Sequence, residues 1–188
     1  MDTVTVKNVV NISHIILKSY IEKAQILIDM TAGNGHDTLF IAKHMPETAQ
    51  LIVVDIQPAA IEATRKRLAT EKIDERHVCF ITAGHESVII PPMTDVAMFN
   101  LGYLPAADHH IHTQAATTIA ALQNCLVALS PGGIITLAAY PGTEAGRQEN
   151  IALNQYVKTL PQQEFHVSRW EPLNEVHNPP ILYILQKR

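Results

Sequence analysis

The sequence predicts an α/β fold: a mostly parallel, seven-stranded sheet with helices on both faces, closed by an antiparallel hairpin at its C-terminal end. Three observations predict it. Short apolar runs alternate with longer stretches of helical periodicity, the rhythm of strand–helix–strand crossovers. The first apolar run leads into a glycine turn, Gly33-Asn34-Gly35, that opens a helix. The last two apolar runs are joined only by a proline-rich loop, which leaves no room for a crossover helix and makes those strands antiparallel. With 188 residues, 47% hydrophobic and 17% charged, the chain is expected to form one domain over 1–188 with a sizeable core.

A helix at about 9–23 precedes the first strand, "QILIDM" at 25–30. "QLIVVDI" (50–56), "HVCFIT" (77–82), "DVAMFN" (95–100) and "GIITLAAY" (133–140) read as further strands, buried on both faces because apolar residues run through them. Helices are expected at 35–45, 58–70 and 112–129, with a short one near 84–89. Pro58 suits the first turn of its helix. In the 112–129 segment Ala115, Ile119, Leu122, Leu126 and Leu129 fall at three- and four-residue spacing before "SPGG" stops the pattern. "EFHVSRW" (164–170) and "ILYILQ" (181–186) form the closing hairpin. "NPPI" at 178–181 reads as their rigid connection, since tandem prolines cannot donate to a sheet ladder. A parallel sheet closed this way suits a Rossmann-like methyltransferase better than a dehydrogenase.

The formal charge of −4 provides no global positive field, so a nucleic-acid partner has to be met by a local patch. "RKR" at 65–67 reads as a solvated helix face, and Arg147, in the loop after "YPG", as the better contact for RNA. Cys79 and Cys125 have no paired spacing and read as reduced core thiols in a cytoplasmic protein. Neither a basic-then-apolar leader nor a run of the ~18 apolar residues needed to span a bilayer is present, so no membrane association is expected.

The turn after the first strand lies in "DMTAGNGHDT" (29–38). Gly33 and Gly35 let the backbone turn sharply and approach a ligand, and the helix that follows presents unpaired N–H groups. The dinucleotide fingerprint wants a third Gly or Ala where this chain has Thr38, which favours a ligand smaller than a pyrophosphate. Asp55, twenty residues after Gly35 at the end of the second strand, can accept hydrogen bonds from ribose hydroxyls. S-adenosylmethionine (SAM) presents such a ribose. Asp29 could accept from its ammonium, and His85 lies where such folds hold the adenine.

Ligands in open α/β sheets bind beyond the carboxyl ends of the strands, so Asn100 faces the cofactor. "NLGY" (100–103) resembles the Asn-Pro-Pro-Tyr loops of amino-methylating enzymes, in which the Asn oxygen accepts from the target nitrogen and the aromatic ring stacks on the target. "DMTAGNGHDTLFIA", "DIQPAAIEAT", "FNLGYLP", "YPGTEAGRQEN" and "NPPIL" together resemble a bacterial family of small SAM-dependent methyltransferases. That family was long labelled as rRNA methylases, and members are assigned to the tRNA wobble uridine. The similarity runs from Ser13–His14 to the last strand. It implies a Rossmann-like SAM methyltransferase fold and conversion of 5-aminomethyl-(2-thio)uridine to the 5-methylaminomethyl form.

Carried over by position, the resemblance implies a SAM shell of Asp29, Gly33, Asn34, Gly35, Asp55, Gln57 and His85, with Asn100 at its border. It implies an acceptor-facing loop of Asn100, Tyr103 and Asp108. Asp108 or His109 would take the proton that the target amine must lose, with Asp108 preferred. Where the family has two glycines, this chain has Ala106 and Ala107; where it has a Lys, His109; and where a later His stands, Thr143. These departures fall on the acceptor side. The implied partner is the anticodon loop of tRNA, and a homodimer is an expectation from the family alone. His109 and His112 share a helical spacing but lack Cys partners, so no metal is expected. The competing readings are methylation of rRNA or of a free small-molecule amine, and, less favoured, a nicotinamide-dependent oxidoreductase.

Overall fold

The computed structural model describes residues 8–101 and 114–188. Within them the chain runs α1 (Val9–Ile21), β1 (Ile26–Asp29), α2 (His36–His44), β2 (Gln50–Asp55), α3 (Pro58–Thr70), β3 (Val78–Thr82), β4 (Thr94–Asn100), α4 (Ala115–Ala128), β5 (Leu129–Ala139), α5 (Glu144–Val157), β6 (Phe165–Trp170) and β7 (Ile181–Lys187). Two single-turn 3-10 helices, Glu75–His77 and His85–Ser87, flank β3. The strands form one seven-stranded sheet in the order β3-β2-β1-β4-β5-β7-β6. β1 to β5 are parallel; β7 runs antiparallel to both β5 and β6.

Period-two alternation explains why the sheet is covered on both faces. In β4, Val96 and Met98 point into a core shared with Leu17, Ile41 and Ile61 from α1, α2 and α3. Ala97 and Phe99 point the other way, into a core with Leu122 and Leu126 of α4 and Leu153 of α5. β1 divides likewise, with Leu27 in the first core and Ile28 in the second. α1 starts at the cap Asn8, whose side chain accepts from the Val10 N–H at 2.9 Å, and Pro58 opens α3. Among the described residues no helix is long and apolar enough to cross a membrane.

Four expectations need correction. β3 is an edge strand of the sheet, only partly covered, so Cys79 is exposed; Cys125 is buried, and burial pushes its thiol up to about 12. α5 was not expected from the sequence, because Glu149 occupies a buried position where an apolar residue would signal the stripe. Its carboxylate accepts from Thr118 Oγ1 at 2.7 Å. Arg147 is therefore on a helix, not in a loop, and its guanidinium pairs with Glu144 at 2.7 Å. Finally, β5 begins at Leu129 and carries "SPGG" as an irregularity against β4, with Gly132 at φ +80°. The "NPPI" segment does join β6 to β7.

Sheet order reverses between β1 and β4, and ligands of open α/β sheets bind at such a switch point. The register sets Asp29 opposite Met98 on one side and Val53 on the other. The carboxyl ends of β2, β1 and β4, carrying Asp55, Asp29 and Asn100, therefore lie side by side.

Candidate active site

The turn after β1 is built for close approach. Gly33 and Gly35 have φ of +53° and +76°. A Cβ on Gly35 would stand 2.8 Å from the Thr64 Cα of α3, so the position needs glycine for conformation and for space. The Gly33 N–H donates to Asp55 Oδ2 and the Gln57 N–H to Asp55 Oδ1, both at 2.9 Å, which fixes the Asp55 carboxylate and leaves each oxygen a free lone pair. Asn34 is exposed, and its carbonyl accepts from Arg67 Nε at 2.5 Å, while Arg67 Nη2 meets His36 Nε2 at 3.0 Å. Arg67 thus braces the turn from α3 and is not a purely solvated residue. Arg65 lies over the Phe80 ring at 3.9 Å and pairs with Glu75.

Asp29 is 1% exposed. Its Oδ1 accepts from the Thr31 N–H at 3.1 Å and its Oδ2 from Thr38 Oγ1 at 2.5 Å. Burial and the neighbouring Asp37 push its carboxyl up to about 7, against the lowering effect of the two hydrogen bonds. A buried acid so poised is a receptor for positive charge. His85 opens the turn after β3; its ring meets Phe99 edge-on at 6.1 Å between centroids, and burial holds its pKa below the usual value. Its Nε2 is buried without a hydrogen-bond partner, a polar atom free to meet the edge of a bound base. Acid for a cation, acceptors for a ribose and an orphaned imidazole nitrogen together fit SAM.

Asn100 ends β4 inside a hydrogen-bonded network. Its backbone N–H donates to Thr31 Oγ1 at 2.7 Å. Its Nδ2 donates to Asp37 Oδ2 at 2.9 Å, and its Oδ1 accepts from the Tyr140 hydroxyl at 2.7 Å. Asp37 Oδ1 in turn pairs with His14 Nε2 at 2.7 Å, and the His14 ring stacks flat on Phe40, 3.8 Å away at 1°. Burial and Asp37 push the Tyr140 phenol up to about 12, so it stays a neutral donor.

The structure therefore brings Asp29, Gly33, Asn34, Gly35, Asp55, Gln57, His85 and Asn100 to the carboxyl end of the parallel strands. Tyr103 and Asp108 lie outside the described residues, as do Ala106, Ala107, His109 and His112. Sequence reasoning did not assign roles to Asp37, Tyr140 and Arg67 in this site. The available signals were a second acid inside "GNGHDT" and a tyrosine at the end of a buried strand.

Residues 51–186 match the family described as "Putative rRNA methylase". The chain is 30% identical to the "tRNA (mnm(5)s(2)U34)-methyltransferase, chloroplastic" of Arabidopsis thaliana, over 96% of this chain and 70% of that protein. A solved structure from Clostridium thermocellum, under the same rRNA-methylase description, superposes with a TM-score of 0.92 at 36% identity, covering 98% of this chain and 100% of that one. A "putative methyltransferase" of Streptococcus mutans, solved in complex with S-adenosylhomocysteine, gives 0.83 at 33% identity with coverage of 98% and 100%. On these likenesses, together with a sheet whose switch point carries residues suited to SAM, the chain belongs to the "Putative rRNA methylase" family of SAM-dependent methyltransferases.

Proposed function

We propose that this chain methylates the amino group of 5-aminomethyl-(2-thio)uridine at the tRNA wobble position, giving 5-methylaminomethyl-(2-thio)uridine, with SAM as methyl donor. One observation carries the reading: the Asn100 side chain stands at the end of β4 beside the Asp29 strand end, with its carbonyl turned away from Asp37. The plant relative named for the same wobble modification points the same way.

Each residue has a stated task. Asp29 balances the positive charge of the donor's amino acid end, Asp55 accepts from its ribose, Gln57 borders the same end of β2, and the His85 Nε2 meets its base. Bound SAM supplies an electrophilic methyl on a sulfonium. The Asn100 Oδ1 accepts an N–H of the target amine, which leaves the nitrogen lone pair free to point at that methyl, catalysis by positioning. The amine reacts only when neutral; an alkylamine has a pKa of ~10.4, and desolvation on binding lowers it. Tyr103 stacks on the uracil, a role that rests on the loop's resemblance to amino-methylating enzymes, and Asp108, the acid that follows in the same loop, takes the proton.

A free small-molecule amine is the second reading. It is favoured by the acidic net charge and by Arg147 being paired with Glu144. The test is mass spectrometry of nucleosides from tRNA carrying 5-aminomethyl-2-thiouridine, incubated with the protein and methyl-labelled SAM. A labelled 5-methylaminomethyl nucleoside is expected. SAM binding without label in tRNA overturns the substrate assignment, and label on free amines alone installs the second reading.

A further inference from the structure

An amide has two ends of nearly equal size and opposite chemistry, and a methylation site tolerates only one orientation. With the oxygen toward the target, Asn100 accepts an N–H and leaves the amine lone pair free. With the NH2 end toward the target, it donates to that lone pair and consumes the electrons that must attack the methyl. Some feature of the site has to choose between the two.

Tyr140 cannot make the choice alone, because a hydroxyl both donates and accepts. An ionised carboxylate only accepts. Asp37 Oδ2 therefore takes the NH2 end of Asn100 at 2.9 Å, which turns Oδ1 toward Tyr140 and leaves that oxygen a second lone pair. Asp37 is itself held: its other oxygen is engaged by His14 Nε2 at 2.7 Å, and the His14 ring lies flat against Phe40. Since the carboxylate only accepts, His14 Nε2 carries a hydrogen in this pair. The Asn100 backbone is pinned separately, by Thr31 Oγ1 on its own N–H and by the Ala138 carbonyl on the Leu101 N–H. The amide plane is the remaining freedom, and Asp37 closes it.

We propose that Asp37, secured by His14, is a positioning residue that fixes which end of the Asn100 amide meets the target amine. The inference rests on the reading of Asn100 as the acceptor-side group. It adds two residues, from α1 and α2, to an acceptor side otherwise placed at the end of β4.

The decisive variant is Asp37→Asn, isosteric but able to present either a donor or an acceptor to Asn100. In methyl transfer to 5-aminomethyl-uridine tRNA, its kcat is expected to fall about ten- to a hundredfold, the loss of one charge-assisted hydrogen bond, while the dissociation constant for SAM by calorimetry changes less than about threefold. A kcat equal to wild type overturns the proposal. So does a loss of SAM affinity that accounts for the whole effect, since Asp37 would then be a cofactor ligand. His14 supplies a second route if Asp37→Asn does not fold. His14→Leu removes the donor to Asp37 and is expected to lower kcat about tenfold, and His14→Gln, which keeps an N–H, recovers most of that loss; equal kcat in the two overturns the role of His14.

A readout free of the substrate is the side-chain NH2 of Asn100 in 1H–15N spectra, assigned by its loss in Asn100→Ala. Asp37→Asn is expected to shift and broaden that pair through exchange between two orientations. An unmoved, sharp pair overturns the proposal. If wild type transfers no methyl to the tRNA while the amide pair responds to Asp37→Asn, the substrate assignment fails and the positioning role stands.

Discussion

The proposed role of Asp29 sets stability against cofactor binding. Its carboxyl has a usual value of 3.8 and is raised to about 7 in the fold, chiefly by burial and by Asp37. Between those two pH values the native chain holds a proton that the unfolded chain has released. Stability therefore falls as pH rises from about 4 to about 7, and above 7 the fold carries the full cost of a buried charge, up to about 4 kcal/mol. Asp29→Asn removes that cost. Its amide oxygen can still accept from the Thr31 N–H, and its NH2 can donate to Thr38 Oγ1, so the local hydrogen bonds survive. Urea unfolding of both proteins in the absence of SAM is the assay, and the difference between them isolates Asp29 from other titrating groups. The variant should gain on wild type steadily from pH 4 to pH 8, and wild-type SAM affinity should rise over the same interval because a cation binds the ionised form. A difference that is flat with pH would refute the account of Asp29 as a buried acid awaiting a cation.

Gly35→Ala should cost about 2–4 kcal/mol of stability, from the left-handed backbone and the contact with Thr64, and abolish SAM binding, as read by thermal unfolding with and without SAM. Asn100→Ala should lower methyl transfer about a hundredfold or more while calorimetric SAM affinity stays near wild type; equal loss of both would place Asn100 in the cofactor site only. His85→Leu removes a buried nitrogen with no partner, so the protein without SAM should be as stable as wild type or about 1 kcal/mol more stable, while the SAM dissociation constant rises about tenfold.

What could be read from the sequence follows from where the signal is carried. β1, β2 and β4 are apolar on both faces, and a continuous apolar run is visible without knowing its neighbours. The closing hairpin was legible from the short spacing between its strands. α5 was not, because its buried face includes Glu149, whose partner Thr118 lies on another helix. The burial of Cys79 was misjudged because an edge position is a property of sheet order, not of the strand. The glycine turn and Asp55 carry their meaning in local spacing. Asp37 and Tyr140 are 103 residues apart and are bridged by Asn100, once the crossovers between α2 and β5 set the end of β5 beside the start of α2.

The switch point between β1 and β4 also divides the chain by inheritance. In the proposed reading the donor-side residues Asp29, Asp55, Gln57 and His85 all precede residue 88, and Asn100 with the loop that follows it comes after residue 93. On that reading a chimaera joined at 88–93 would draw its proposed methyl-donor residues from one parent and Asn100 from the other. The Asp37–Asn100 bond straddles that junction, so those two residues have to be transplanted together, and Thr31, which holds the Asn100 N–H, with them.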